Sequence, residues 1–222
     1  MALKVGFNGN RLIFNGNGKT IKEIECAIKN NCFLNLDSLF NLKHTIKVCQ
    51  QLKNEFSQNL PAKLIIRVNQ SIDASVHSYL STSVKQCKFG LEINQLENII
   101  EIIQNNKDLV SLSGFHTHLG STIDSVSFYD KSVDNLTSLI TNLKEKYNIE
   151  TLELINFGGG LGINYKKYFN RTSETNLKES IDNIEYPKPY DLALTISKYA
   201  DKLKGLKVIV EPGIFIIHEY KF

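Results

Sequence analysis

Three adjacent glycines stand in the stretch ELINFGGGLGINY, which runs from residue 153 to residue 165. They follow an apolar, strand-like segment. A glycine inside a regular element costs roughly 0.5–1 kcal/mol relative to Ala, so such a run indicates a backbone shape or a close approach that side chains would block. At a strand end, the unshielded N–H groups of Gly158, Gly159 and Gly160 would suit a phosphate monoester. A tight turn that binds no ligand is the alternative.

Two better-known phosphate loops do not fit this chain. A dinucleotide fingerprint G-x-G-x-x-G that starts at Gly158 needs a sixth-position glycine, where the chain has Ile163. The Gly18-Lys19-Thr20 triplet resembles the end of a P-loop, but the required earlier glycine is Ile13. Neither nucleotide-binding motif is therefore predicted.

Two histidines alternate in the stretch FHTHLGS, so on a strand His116 and His118 would point to the same face. A metal pair is one interpretation, but the remaining histidines are scattered and no full ligand set assembles, so no metal site is predicted. A second interpretation has one imidazole stacking on an aromatic ligand while Ser121 donates to its phosphate. Polar packing in the mouth of the fold is the third.

A carboxylate ends the apolar segment VIVEPG. Glu211 could pair with a protonated ring nitrogen of a ligand. It could equally be a solvated loop residue held in place by Pro212 and Gly213.

The elements that must position these residues alternate along the whole chain. Short β-rich runs are predicted at residues 11–15, 32–37, 63–69, 109–118, 151–157 and 207–213. Helical patterns with apolar residues at 3–4 spacing lie between them, which is typical of a parallel sheet with crossover helices. The unit lengths favour an α/β fold: a partial TIM-type (β/α) barrel with about six of its eight strand-helix units. In such a barrel the functional groups meet at the carboxyl ends of the strands. A polar segment at 166–190 is expected to be an insertion at one strand end.

Composition excludes several classes of protein. The 222 residues carry 26 Lys and Arg against 23 Asp and Glu, without a run of like charges, so nucleic acid is not an expected partner. No apolar stretch is long enough for a membrane helix or a signal peptide, and the four cysteines form no Cys-x-x-Cys pair. We therefore expect a cytoplasmic protein without a membrane partner, whose cysteines are reduced core residues.

In this order, the motifs resemble the pyridoxal-phosphate-dependent decarboxylases with an alanine-racemase-like barrel, and among them most closely the diaminopimelate decarboxylases. The matching stretches extend over nearly the whole chain: RLIFNGNGKT, FLNLDSLFNL, LIIRVNQSIDASVHSYLSTSVKQCKFGLEI, GFHTHLGS, NFGGGLGINY and IVEPG.

The resemblance implies pyridoxal 5'-phosphate as the cofactor. It implies that Gly158, Gly159 and Gly160 wrap the cofactor phosphate, that Ser121 adds a hydroxyl donor and that His118 stacks on the pyridine ring. Glu211 would keep the ring nitrogen protonated, so that the ring accepts the electrons released when the α-carboxylate leaves. Gly213 completes the binding set; Arg67 and His116 match pocket-supporting positions, and Lys88 matches a region near the subunit interface.

The chain also departs from the family pattern. Members carry the Schiff-base lysine in a Y-A-x-K-A-N motif two strands before the equivalent of RLIFN, whereas ten residues precede Arg11 here. Lys4 in MALKV is the one candidate. Ile214 stands in place of the arginine of EPGR. We expect residues 1–222 to form one incomplete cofactor-binding barrel domain without the family's C-terminal β domain.

The resulting expectation is a diaminopimelate decarboxylase-like domain of the lysine-biosynthesis type, acting on an amino acid and impaired or inactive as this fragment. The alternative is a noncatalytic homologue, either a remnant or a regulatory partner that forms a homo- or hetero-dimer with a complete homologue. A single-domain pyridoxal-phosphate homeostasis protein ranks last, because its motifs include neither HTHLGS nor GGGLG.

Overall fold

The computed structural model describes residues 1–72, 89–163 and 186–219. Seven strands lie in these ranges: β1 (Ile13–Phe14), β2 (Phe33–Leu36), β3 (Ala62–Asn69), β4 (Leu91–Glu92), β5 (Val110–His116), β6 (Leu154–Gly159) and β7 (Lys207–Glu211). The α-helices are α1 (Ile21–Lys29), α2 (Leu39–Leu52), α3 (Leu96–Gln104), α4 (Val126–Tyr147), α5 (Pro189–Ser197) and α6 (Gly213–Glu219). Short 3-10 helices cover Ala2–Val5, Gly9–Arg11, Ser57–Asn59 and Ile93–Gln95.

The sheet has the order β1-β2-β3-β5-β6-β7, with every pairing parallel, and β4 pairs with β3 off this path. Neighbours along the chain are neighbours in the sheet, which is the winding of a (β/α) barrel. The predicted parallel α/β fold with six strand-helix units is confirmed.

Local capping explains where two helices begin. Thr20 and Glu23 form a reciprocal capping box at the start of α1, with the Thr20 N–H donating to Glu23 Oε2 at 2.8 Å. Ser38 caps α2, because its hydroxyl accepts the Asn41 N–H at 3.2 Å. Both caps follow the carboxyl end of a strand, so each fixes the turn from strand to helix.

Two apolar layers hold the strands. The larger core packs one face of the sheet against the helices and includes Leu34, Leu64 and Phe115, all fully buried. The second, inside the curve of the sheet, contains Phe33, Ile65 and Leu154, with Ile13 and Ile209 packed against them. Alternation along each strand separates the two faces.

Some element boundaries differ from the prediction. The strand expected at 109–118 ends at His116, and the strand expected at 151–157 extends through Gly159, so two of the three glycines lie within β6. The two-residue β4 was missed, because it is too short to produce a periodic pattern. Most of the polar 166–190 segment lies outside the described residues, and α5 begins within its last part.

The cysteine prediction is wrong for one residue. Cys32 and Cys49 are buried, as expected, whereas Cys26 is exposed on α1. All three are free thiols. Cys87 lies outside the described residues. In the described ranges, we find no helix with the length and apolar character required to cross a bilayer.

Candidate functional site

A polar layer lies above the inner apolar layer, toward the carboxyl ends of the strands. Each member of this layer comes two residues after a residue that faces the inside of the sheet, which is Gly114 on β5 and an apolar residue on the other strands. Because side chains alternate along a strand, the members of the layer also face the inside. The layer consists of Asn35 on β2, Arg67 on β3, His116 on β5, Asn156 on β6 and Glu211 on β7. Register places Arg67 beside His116 and His116 beside Asn156. The barrel interior therefore changes from apolar to polar at one level.

The three glycines lie where the pairing of β6 with β7 is irregular. Between β6 and β7 the register advances by three residues on one strand and two on the other, from the pair Asn156 and Ile209 to the pair Gly159 and Glu211. Gly158 takes a φ of +69° at this bulge, a conformation that a side chain disfavours. The bulge turns the chain toward the mouth of the fold.

Close approach on three sides explains the rest of the glycine run. A Cβ on Gly158 would lie 2.4 Å from the Thr117 carbonyl oxygen, one on Gly159 would lie 2.0 Å from the Glu211 carbonyl oxygen, and one on Gly160 would lie 1.9 Å from the Gly120 carbonyl oxygen. The bend (Gly158–Gly160) is therefore packed against the end of β5, the end of β7 and the loop after β5. Side chains are excluded by backbone at each position.

His118 lies directly against this bend. Its Nδ1 accepts the Gly159 N–H at 3.2 Å, which places the ring proton on Nε2. Burial and the nearby Arg67 guanidinium lower the pKa of His118, while the Glu211 carboxylate acts in the opposite direction. The imidazole is thus neutral at physiological pH and fixed at the edge of the bend.

The expectation of unshielded N–H groups is wrong for the glycine run. The Gly158 N–H donates to Asn156 Oδ1 at 2.9 Å, and the Gly159 N–H donates to His118. Both are backbone donors in a buried segment, where an unmade hydrogen bond is costly, so side chains of the same site satisfy them. The parallel pairing of Gly159 with Glu211 directs the Gly160 N–H toward the Glu211 carbonyl, because Pro212 has no N–H for the other pattern of parallel hydrogen bonds.

Glu211 reaches the same point from β7. Its Oε1 accepts from Asn156 Nδ2 at 2.8 Å. His118 and Glu211 therefore flank Gly159, His118 through its imidazole and Glu211 through its main-chain carbonyl. The structure brings these three predicted residues together.

The loop that carries Ser121 is tied to the bend. Ile123 donates to the Gly160 carbonyl at 2.9 Å and accepts from the Gly162 N–H at 3.0 Å. Ser121 is exposed in this loop, one residue after Gly120, which touches Gly160. An exposed hydroxyl thereby lies on the rim beside the bend, a donor that fits a small anionic group.

His116 is held by a network that the sequence did not suggest. Asn35 Nδ2 contacts His116 Nδ1 at 2.9 Å and Asn15 Oδ1 at 2.6 Å. Burial, Arg67 and His118 lower the pKa of His116 to about 3, so its ring is neutral. His116 Nε2 and Asn35 Oδ1 have no partner among the described residues although both are buried. Such a donor and acceptor mark room for a buried water or a ligand atom.

Tyr129 was also missed. This fully buried residue of α4 donates its hydroxyl hydrogen to the Gly159 carbonyl at 3.2 Å, from the helix side of the sheet. Burial raises its pKa, so the phenol stays protonated and keeps donating. In the sequence it is one apolar position among several of an amphipathic helix, so no signal set it apart.

The remaining predicted residues lie elsewhere. Lys4 is exposed in the 3-10 helix Ala2–Val5, before the first strand. Gly213 begins α6, where a Cβ would meet nothing within 4 Å, and Ile214 follows it, also exposed. Arg67 stands over the ring of Phe89, with its Cζ 5.4 Å from the centroid. Lys88 lies outside the described residues. The roles of Lys4 and Gly213 stay predictions.

Comparison with known proteins identifies the family. The family model described as "Pyridoxal-dependent decarboxylase, pyridoxal binding domain" matches residues 1–218. The chain is 32% identical over 219 residues to diaminopimelate decarboxylase of Campylobacter jejuni, covering 97% of this chain and 48% of that protein. It is 30% identical over 217 residues to a probable chloroplastic diaminopimelate decarboxylase of rice, covering 98% of this chain and 40% of that protein.

Comparison with solved structures leads to the same family. Diaminopimelate decarboxylase of Helicobacter pylori, in complex with L-lysine, superposes with a TM-score of 0.76 at 29% identity, over 95% of this chain and 47% of that one. The chain thus spans less than half the length of these relatives. The expected resemblance is confirmed, and pyridoxal is the cofactor named by the family itself. The chain belongs to the pyridoxal-binding domain family of the pyridoxal-dependent decarboxylases.

Proposed function

We propose that this chain is the cofactor-binding part of a diaminopimelate decarboxylase-like enzyme, which removes the α-carboxylate of an amino acid. The observation that carries the proposal is that His118 and Glu211 flank Gly159 at the carboxyl ends of a parallel sheet. An imidazole, a glycine bend and a carboxylate are the groups that the resemblance assigns to a phosphorylated pyridine.

The described residues fit that cofactor. The Ser121 hydroxyl would hold the phosphate beside the bend, because the Ile123 hydrogen bonds join its loop to Gly160. Side chains are absent from the whole bend, which leaves backbone alone facing that loop. His118 offers a neutral ring face beside it.

When bound, pyridoxal phosphate supplies a protonated ring that takes up the electron pair left by a departing carboxylate. Glu211 would hold the proton on the ring nitrogen, because a carboxylate beside a pyridine nitrogen favours the charged form of the ring. Asn156 occupies Oε1 and leaves Oε2 for this purpose. His118 remains neutral, so it adds no positive charge that would compete with the ring.

The contacts of the described residues do not identify the lysine whose amine would react with the cofactor aldehyde. No hydrogen bond or ion pair in these ranges joins a lysine to His118, the bend or Glu211. We therefore propose that the chain binds the cofactor but is impaired in turnover by itself, and that Lys4 is the candidate to test.

The test combines binding with turnover. Titration with pyridoxal phosphate, followed by absorbance and fluorescence, is expected to show saturable binding that is weakened in His118→Ala and Glu211→Gln. Borohydride reduction and peptide mapping then identify any lysine that has reacted. Conversion of diaminopimelate to lysine and carbon dioxide is expected to be low. Failure of the wild-type chain to bind the cofactor would overturn the proposal.

A noncatalytic role gives a different result. A chain that binds the cofactor without turnover, and that changes the activity of a complete homologue when the two are mixed, would act as a regulatory partner. Sedimentation of the mixture measures whether the two chains form a dimer.

A further inference from the structure

We propose that Asn156 is a positioning residue that couples the two ends of the candidate cofactor site, holding the Glu211 carboxylate with its amide nitrogen and the first glycine of the bend with its amide oxygen. This inference rests on the proposed function. It assigns a role to a residue that the glycine motif, His118 and Glu211 leave out.

The geometry uses both polar atoms of the side chain and the main-chain carbonyl of Asn156. Asn156 Nδ2 donates to Glu211 Oε1 at 2.8 Å, and Asn156 Oδ1 accepts the Gly158 N–H at 2.9 Å. Its main-chain carbonyl accepts the Thr117 N–H at 2.8 Å, which ties β6 to the end of β5 just before His118. With 1% of its surface exposed, the side chain has no freedom to exchange these partners for water.

The chemistry requires an amide at this position. The Gly158 N–H needs an acceptor and the Glu211 carboxylate needs a donor, and only Asn presents both on one short planar group. Asp would offer an acceptor to Gly158 but would place a second carboxylate beside Glu211, and Leu would offer neither. The residue therefore links the orientation of the carboxylate to the conformation of the bend.

Position in the sheet explains why the link acts on ligand binding. The bulge lies between Asn156 and Gly159, so the register that puts Glu211 opposite Gly159 depends on the conformation of Gly158. Among the described residues, Asn156 is the one side chain that donates to Glu211. Without it, the carboxylate is free to turn away from the ring nitrogen while the bend loses its first fixed N–H.

A double-mutant cycle on the full chain tests this role. Asn156→Leu and Glu211→Gln are each expected to weaken binding of pyridoxal phosphate about tenfold, and the double variant is expected to lose little more than either alone. Such non-additivity arises if Asn156 acts through Glu211, whereas a residue that merely stabilises the fold gives additive losses. Asn135→Leu on the exposed face of α4 is the matched control, expected to bind like the wild type.

Asn156→Asp keeps the test decisive if the leucine variant does not melt cooperatively. The aspartate keeps the acceptor for Gly158 and is neutralised by sharing a proton with the Glu211 carboxylate. Combined with Glu211→Gln, it forms an inverted pair in which the introduced amide donates to the introduced carboxylate, so the melting temperature is expected to recover while the cofactor affinity does not. Additive losses, or wild-type affinity in the Asn156 variants, would overturn the inference. Absence of binding by the wild-type chain would instead overturn the proposed function on which it rests.

Discussion

His118 Nδ1 accepts the backbone N–H of Gly159 at 3.2 Å, so a direct hydrogen bond joins the histidine to the glycine bend. This contact requires a neutral imidazole with its proton on Nε2, which burial and Arg67 favour by lowering the pKa. One side chain thus offers two separable features, an acceptor for the bend and a flat ring.

Two substitutions separate these features. His118→Asn keeps an acceptor but has no ring, and His118→Phe keeps a ring but has no acceptor. We expect the phenylalanine variant to lose about 1 kcal/mol of unfolding free energy and to retain more of the cofactor affinity. The asparagine variant is expected to show the opposite pattern. Urea unfolding and pyridoxal phosphate titration measure the two properties, and parallel losses in both variants would contradict the separation.

The glycine bend makes a prediction about stability that does not depend on any ligand. Gly159→Ala would put a Cβ 2.0 Å from the Glu211 carbonyl oxygen, so the β6 and β7 backbones must separate. We expect a loss of about 3 kcal/mol or more in unfolding free energy.

Gly213→Ala is the matched control for this experiment, because a Cβ there meets nothing within 4 Å. Its stability is expected to stay within about 0.5 kcal/mol of the wild type. Circular dichroism during urea unfolding compares the two. Equal effects would show that the bend tolerates side chains.

The predictable part of the molecule is the part governed by local patterns. Apolar periodicity located six strands, and their parallel order placed His118, the glycine bend and Glu211 at one edge. The polar partners were not predictable in this way. Asn35 and Asn156 are two of many asparagines in the chain. Their roles depend on how strands that are far apart in the sequence pair with one another in the sheet. The hydrogen bond from Gly159 to His118 was missed for the same reason, whereas the bond from Gly158 to Asn156 is local and depends on the bulge in β6.

Tyr129 connects α4 to the bend through a single hydrogen bond to the Gly159 carbonyl. Tyr129→Phe removes the hydroxyl and leaves the ring, so the buried carbonyl loses its side-chain donor. We expect a decrease of about 1 kcal/mol in unfolding free energy.

Tyr190→Phe provides the comparison for Tyr129, since Tyr190 is largely exposed at the start of α5 and its hydroxyl is replaceable by water. Thermal and urea unfolding of both variants measure the difference. A Tyr129→Phe protein as stable as the Tyr190→Phe protein would show that the hydroxyl contributes nothing.

His116 predicts how stability depends on pH. Its pKa is about 3 in the folded chain, against an ordinary value of 6.5 that applies when the chain unfolds. Between these values the unfolded chain binds the additional proton, so unfolding free energy falls as the pH is lowered through this range, by at most about 1.4 kcal/mol per pH unit for one such group. Above pH 6.5 the His116 ring is neutral in both the folded and the unfolded chain, so its protonation no longer lowers the unfolding free energy.

His116→Gln removes the titrating ring and should flatten this dependence. We expect the wild type to lose stability between pH 6.5 and pH 5, and the variant to lose less, even though it is less stable at neutral pH because Asn35 loses its ring partner. His118→Asn removes the second histidine with a lowered pKa. The double variant with His116→Gln is therefore expected to show a still flatter dependence of unfolding free energy on pH. Urea unfolding at several pH values above 5 measures the slopes, since the carboxylates titrate below that range. Identical slopes in the wild type and the His116→Gln protein would mean that the buried imidazole accepts a proton in the folded state, because the protein relaxes around the charge or admits water to Nε2.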